Sequence, residues 1–390
     1  MDLVLLAQDV TWGGRTGDAI HLRELARHLA RRGHTIRVIA RGGKTLAPEV
    51  VEGVQVYPLE SSHDLALSFV RRPILLRTFI RVVADHRPDL VYSRGFGYLS
   101  EALTARGMGL PIVFEVNGDA IAERESLRGR PLPRPVRAVA LWSARHAFGV
   151  AMAIVAVTET LRLRLVQEFR VSPEKIRIVP NAVDTELFHP MDSSYVLEGL
   201  GQTRRPPAIL FVGTLEPWQG VDYLLKAFAE MPPGQPECIL LIVGDGQEGP
   251  RLRALAAKLG IQDRVRFAGA VPHERIPWYV AASDVCVAPL TRERLRSGSS
   301  AMKIYEYLSG ARPVVASRIP GLEFLEAEDL GKLVPPEDSH SLANSLAQFL
   351  ADDTWRRNAG TRGRTYVVRQ RSWQSVAQAV EDVCSMAVAA

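Results

Sequence analysis

Short apolar runs alternate with amphipathic stretches along nearly the whole chain. The first cycle reads LVLLAQD, the turn WGGRTGD, then AIHLRELARHLARRGH with apolar residues at helical spacing, then TIRVIAR. This predicts a β-α-β unit. Further runs at VQVYPL, DLVYS, PIVFEV, AIVAVT and IRIVP alternate with helical stretches and predict a parallel sheet covered on both faces. After the polar, proline-containing stretch PMDSSYVLEGLGQTRRPP the grammar restarts with AILFVG, CILLIVGDG, VRFAG, DVCVAPL, PVVAS and GKLVPP. The segments from SLANSLAQFL to AVEDVC keep helical spacing without a strand. The expected fold class is therefore α/β, with doubly wound parallel-sheet domains over 1–190 and 191–370 facing a cleft. A closing helix over 371–390 is expected to pack back on the first domain.

Length and composition agree. A chain of 390 residues exceeds one comfortable core, and 47% hydrophobic with 23% charged residues is globular composition without an apolar run of bilayer length. The start, MDLVLLAQDV, is short, carries Asp2 and Asp9 and lacks a basic leader, so no signal peptide and a cytoplasmic location are expected. Cys238, Cys286 and Cys384 are far apart and odd in number, which speaks against a disulfide framework or thiolate metal site. A net charge of +5 suits anionic partners, including nucleotide phosphates, phospholipid and nucleic acid, without choosing among them.

The stretch TRERLRSGSSAMKIYEYL joins a serine and glycine loop to a helix start, with cations nearby, after a strand whose carboxyl end should border a ligand crevice. On a helical wheel Ala301, Ile304, Tyr305 and Leu308 form the packing side. Lys303 and Glu306 fall opposite, toward solvent or, because of the loop's position, toward an anion. VGTLEPWQG (212–220) and VGDGQEG (243–249) are two more glycine-bearing turns, each weak evidence alone. The G-x-G-x-x-G spelled by GDGQEG (244–249) is not a clean dinucleotide fingerprint, and there is no P-loop, no D-x-D, no metal-spaced cluster of histidines and carboxylates, and no G-x-S-x-G. Dehydrogenase, P-loop NTPase and serine hydrolase readings lose their main support, and no divalent metal is expected.

Together, IRIVPNAVDTELFHP, VGTLEPWQGVDYLLKAF, the segment from LLIVGDGQEG to DVCVAPL, and the K-x-x-E helix resemble the retaining glycosyltransferases of family GT4 over nearly the whole chain. The resemblance implies the GT-B fold of two Rossmann-like domains, an acceptor domain followed by a nucleotide-sugar donor domain. The nucleotide-sugar is then a co-substrate and no cofactor is implied. It assigns Glu306 to the ribose hydroxyls, Lys303 to the diphosphate, and the loop Ser297, Gly298, Ser299 and Ser300 to the phosphates through backbone N–H groups. Gly213, Thr214, Gln219, Gly244, Gly269 and Val271 would border the donor, the last two near the base. Gly17 would approach the diphosphate or sugar. Asn117 occupies the place of a family histidine near the donor sugar and could donate one hydrogen bond, which with Lys303 and Glu306 makes the expected catalytic set. His21 matches a family position, with a satisfied structural histidine as the alternative, and Arg296 is a further expected substrate contact.

Departures from the family pattern are Gly298 where a glutamate is usual, and Thr214 and Gln219 in place of an arginine and a lysine. Lys303 with Arg292, Arg294 or Arg296 would replace that charge. The activity implied is metal-independent, retaining transfer from a nucleotide-sugar, UDP favoured, to a hydroxyl of a cell-surface glycan, glycolipid or metabolite. A non-catalytic or partner-dependent sugar-nucleotide binder and a GT-B epimerase are the alternatives. Two basic, apolar stretches, RESLRGRPLPRPVRAVALWSARH and VRRPILLRTFIRVVADHR, suggest an anionic membrane surface as a partner at the inner face of the membrane. The alternative is ordinary surface helices whose apolar face lies on the sheet. Nucleic acid is not an expected partner, since exposed aromatics are not interleaved with the basic residues.

Overall fold

The computed structural model describes residues 1–14, 16–42, 49–59, 68–95, 98–119, 121, 125, 130–192, 206–232, 238–297, 300 and 302–390, without the side chains of 68–74, 296 and 297. The chain divides into two compact units, Met1–Asn181 with Trp373–Ala390, and Ala182–Ser372. The first break precedes residue 190, where the polar stretch had suggested it.

The first unit runs β1 (Asp2–Thr11), α1 (Gly17–Arg31), β2 (Thr35–Arg41), β3 (Glu49–Val51), β4 (Val54–Leu59), α2 (Ser68–His86), β5 (Leu90–Arg94), α3 (Leu99–Gly107), β6 (Ile112–Val116), α4 (Arg134–Val150), β7 (Ala153–Ala156), α5 (Glu159–Gln167) and β8 (Ile176–Ile178). Its sheet order is β3-β4-β2-β1-β5-β6-β7-β8. β1 is central, with Leu3 opposite Ile36 of β2 on one side and Leu90 of β5 on the other. The expected strands all form, and the pattern missed β3. That strand pairs antiparallel with β4 through a turn at Glu52 and Gly53, both at positive φ (52° and 82°). Its three residues, Glu-Val-Val, are too few to show a period.

The second unit runs β9 (Ala208–Val212), α6 (Val221–Glu230), β10 (Ile239–Val243), α7 (Gly249–Lys258), β11 (Val265–Gly269), α8 (Ile276–Ala282), β12 (Val285–Ala288), α9 (Arg294–Ser297), α10 (Met302–Ser309), β13 (Val314–Ser317), α11 (Phe324–Ala327), β14 (Gly331–Val334), α12 (Ser339–Ala351) and α13 (Asp353–Gln370). The order is β11-β10-β9-β12-β13-β14, all parallel. Every residue of β9, β10, β12 and β13 is buried, as helices on both faces require, which is why these strands read as unbroken apolar runs. Asp338 and Asp352 cap α12 and α13 by accepting from Ser341 N (2.9 Å) and Trp355 N (2.8 Å).

Because β10 and β12 flank β9, the chain's progress across the sheet reverses there, and the loops after β9 and β12 border the switch point. Gly220 locks these loops together. It sits at φ 66°, and a Cβ there would lie 1.8 Å from the Pro289 carbonyl oxygen. Gly220→Ala should therefore cost about 2 kcal/mol or more, through left-handed backbone strain plus overlap, read as a lower urea midpoint. An unchanged midpoint would show that the loops separate freely.

A last helix, α14 (Trp373–Ala389), completes the first unit by packing along α1. Trp373 is buried and meets the His21 ring edge-on at 4.9 Å, and Arg32 pairs with Glu381.

Candidate functional site

At the switch point of the second unit the glycine turns pack loop on loop. Gly213 N donates to Val243 O (3.0 Å), Leu215 N to Asp245 O (2.9 Å), and Gly244 N to Gly269 O (2.8 Å), prolonging the parallel ladder beyond the strands. A Cβ on Gly244 would stand 1.9 Å from Gly213 O, so this glycine is demanded by the neighbouring loop whatever it does for a ligand. A Cβ on Gly213 would stand 2.6 Å from Lys303 Nζ, so Gly213 makes room for the lysine.

The wheel reading placed Lys303 and Glu306 on a solvent-facing side of their helix. That is corrected: α10 is enclosed on both sides. Tyr307 is fully buried and its hydroxyl accepts from Val212 N at 2.8 Å, tying α10 to the end of β9. Glu306 is only 7% exposed, with Oε1 at 2.9 Å from His273 Nε2. Lys303 donates to Gln219 Oε1 at 2.7 Å and lies 4.4 Å above the Phe211 ring. Burial, with Arg294 nearby, pulls its ammonium down to about 7 against the opposing effect of Glu306. A lysine and a carboxylate one turn apart, both withdrawn from water, are not an ordinary surface ion pair.

His273 was missed by sequence reasoning. It follows β11 in the connection to α8, and its signal was its place two residues beyond Val271, in the segment that borders a parallel sheet's carboxyl edge. Its imidazole sits beside Phe188 (5.2 Å between centroids) and fixes the Glu306 carboxylate, which still offers Oε2 and a lone pair of Oε1.

The remaining expected donor residues are distributed as follows. Thr214 is exposed, Gln219 is committed to Lys303, Gly269 holds φ 72° and accepts from Gly244, and Val271 is half-buried against the core. Ser297 ends α9 and Ser300 Oγ lies 3.2 Å from Tyr305 Oη. Gly298, Ser299 and the side chain of Arg296 lie outside the described residues. Of the other arginines, Arg292 pairs with Glu337 (3.5 Å), while Arg294 lies over the Trp218 ring (5.7 Å) close enough to influence Lys303.

In the first unit, Gly17 opens α1 at the end of the β1 turn. His21 and Asn117 converge on a buried carboxylate, Glu115 of β6, which accepts from Tyr92 Oη (2.7 Å) and Arg94 Nε (3.2 Å), with His21 Nε2 at 2.8 Å and Asn117 Nδ2 in contact. Burial would raise the Glu115 carboxyl, but His21, Arg94 and Asn117 outweigh it and hold the group well below the usual carboxylate range. His21 is 3% exposed and packed between Glu115 and Trp373. Asn117 spends one N–H on Glu115 instead of presenting the whole amide to a ligand. Among the described residues no three histidines, cysteines or carboxylates converge to hold a metal, and no helix is long and apolar enough to cross a membrane.

The chain matches the family described as Glycosyltransferase Family 4 over residues 16–187 and Glycosyl transferases group 1 over 206–352. It is 30% identical over 365 residues to the D-inositol 3-phosphate glycosyltransferase of Acidothermus cellulolyticus, spanning 87% of this chain and 79% of that one. The enzyme of the same name from Frankia alni is 30% identical over 378 residues, 90% and 91% of the two chains. Among solved structures, sucrose-phosphate synthase from Thermosynechococcus elongatus matches with a TM-score of 0.82 at 21% identity over 100% and 99% of the chains. Anabaena HepE in complex with UDP-glucose matches at 0.74 and 21%, over 99% of each. The two Rossmann-like sheets are those of a GT-B glycosyltransferase. More narrowly, the chain belongs to glycosyltransferase family 4.

Proposed function

We propose that this glycosyltransferase takes its sugar from a nucleotide-sugar, UDP favoured, and passes it without a metal ion and with retention to a hydroxyl acceptor. The observation that carries the reading is the buried Glu306 carboxylate, held by His273, one turn from the Lys303 ammonium at the switch point of the second unit. A carboxylate accepts from both ribose hydroxyls at once, and a cation beside it suits the diphosphate that follows the ribose in such a donor. The base preference is supported by the UDP-sugar in the HepE structure.

In this reading Lys303, Arg294 and the backbone N–H groups at the start of α10 stabilise the charge that grows on the leaving diphosphate. The bond from the anomeric carbon to the phosphate oxygen breaks while the acceptor oxygen bonds to the same face of that carbon, and the acceptor's proton passes to the departing phosphate. No protein base is needed, so positioning and electrostatics supply the rate. The acceptor class is a metabolite, glycolipid or cell-surface glycan, and the relatives' names favour a polyol phosphate first.

The test is thermal stabilisation by UDP-, GDP- and ADP-sugars, with EDTA present. A donor at a hundred times its dissociation constant adds about 2.7 kcal/mol. A shift confined to UDP-sugars, with UDP released when a polyol phosphate is added, is expected. No shift with any donor would overturn the reading.

A further inference from the structure

Helix α4 is apolar on two opposite sides. Ala144, Ala147 and Phe148 face the sheet and are buried, which uses up one side in the ordinary way. On the other, Val139 is 65% and Trp142 54% exposed, with Val136 beside them. The helix carries no acidic residue, and the acids close to it are engaged: Glu125 and Glu168 both lie within ion-pair reach of Arg137. An apolar face on the sheet therefore does not account for this helix, since a second apolar face remains.

The same chemistry recurs on the neighbouring helices. α2, α3 and α4 pack side by side on one core cluster, so their outer faces form one layer. α3 exposes Leu103 next to Arg106, and α2 exposes Ile80 between Arg77 and Arg81. Arg77, Arg81, Arg106 and Arg134 make no ion pair among the described residues, and Asp85 is the exposed acid described on these three helices. Unpaired arginines interleaved with a tryptophan and aliphatic side chains match the interface of an anionic bilayer: the apolar groups enter the acyl boundary and the guanidinium groups meet lipid phosphates. Repetition of the pairing across three helices suits a planar partner whose charges can move to meet each arginine.

We infer that the outer face of α4, with α3 and α2, docks this enzyme on an anionic phospholipid surface. This reading stands independently of the donor proposed above. The experiment is flotation of the full chain with vesicles of phosphatidylcholine containing about 30% phosphatidylglycerol, against phosphatidylcholine alone. Binding to the anionic vesicles at low salt is expected, at least tenfold above the neutral ones and falling steeply with added salt. The double variant Val139→Glu with Trp142→Glu should lose that binding while its melting temperature stays unchanged, because both side chains lie outside the core. The pair Arg106→Glu with Arg134→Glu should lose it too. Absence of binding to anionic vesicles, or equal binding by either double variant, overturns the inference. A concentration-dependent dimer that only Val139→Glu with Trp142→Glu dissolves, without flotation, would assign the face to a second copy of the chain instead.

Discussion

Glu306→Ala is expected to weaken nucleotide-sugar binding by about a hundredfold with the fold intact. Two hydroxyl hydrogen bonds to a carboxylate contribute about 1.5 kcal/mol or more each, and both are lost together. The site is withdrawn from water, so solvent restores little of that loss, and His273 is left facing the space the carboxylate filled. Glu306→Gln keeps one acceptor oxygen in the same place and should fall between, near tenfold. Titration calorimetry with a UDP-sugar decides it. Unchanged affinity in Glu306→Ala would remove Glu306 from the donor site, whereas failure of the wild type to bind any donor would remove the nucleotide-sugar reading itself.

Lys303→Met is expected to lower donor affinity about thirtyfold near pH 7 and also to abolish a pH dependence. The sign follows from the depressed lysine. Without ligand, the ammonium loses its proton above about 7, because burial and Arg294 disfavour the charge more than Glu306 restores it. A diphosphate favours the charged form, so binding above that pH must take up a proton. Apparent affinity should therefore fall as pH rises, by about tenfold per unit between 7.5 and 8.5, where a diphosphate diester keeps constant charge. The groups around Lys303 are Gln219 from the loop after β9, Arg294 on α9 and Glu306 on its own helix. A flat profile in the wild type, or the same slope in the methionine variant, would show that Lys303 does not meet the diphosphate.

The parallel strands were legible because burial on both sides turns them into continuous apolar runs, and β9 and β10 show this most plainly. β3 was not, since its pairing is set by the turn at Glu52 and Gly53 and by the partner strand, not by its own three residues. The sequence singled out Lys303 and Glu306 as candidates but misjudged their surroundings. A helical wheel sees one helix, and what encloses α10 on its polar side is loops from distant strands: Gln219 and Phe211 around the lysine, His273 on the glutamate. For the same reason Gln219 looked like a missing cation and proves to be the group that holds one. In the first unit Asn117 lies two residues from Glu115 along the same strand end, but the approach of His21 from α1 joins positions 94 residues apart and left no mark in the local spacing.

The return of α14 to the first unit sets an order in time. The second unit is one continuous segment, while the first is interrupted and lacks its last helix until that segment has been made. At ordinary synthesis rates the delay is roughly 10 to 40 s. During it the α1 surface around His21, later covered by Trp373, is open to any apolar segment nearby. Synthesis speed thus sets how long the half of the molecule made first waits for its last helix.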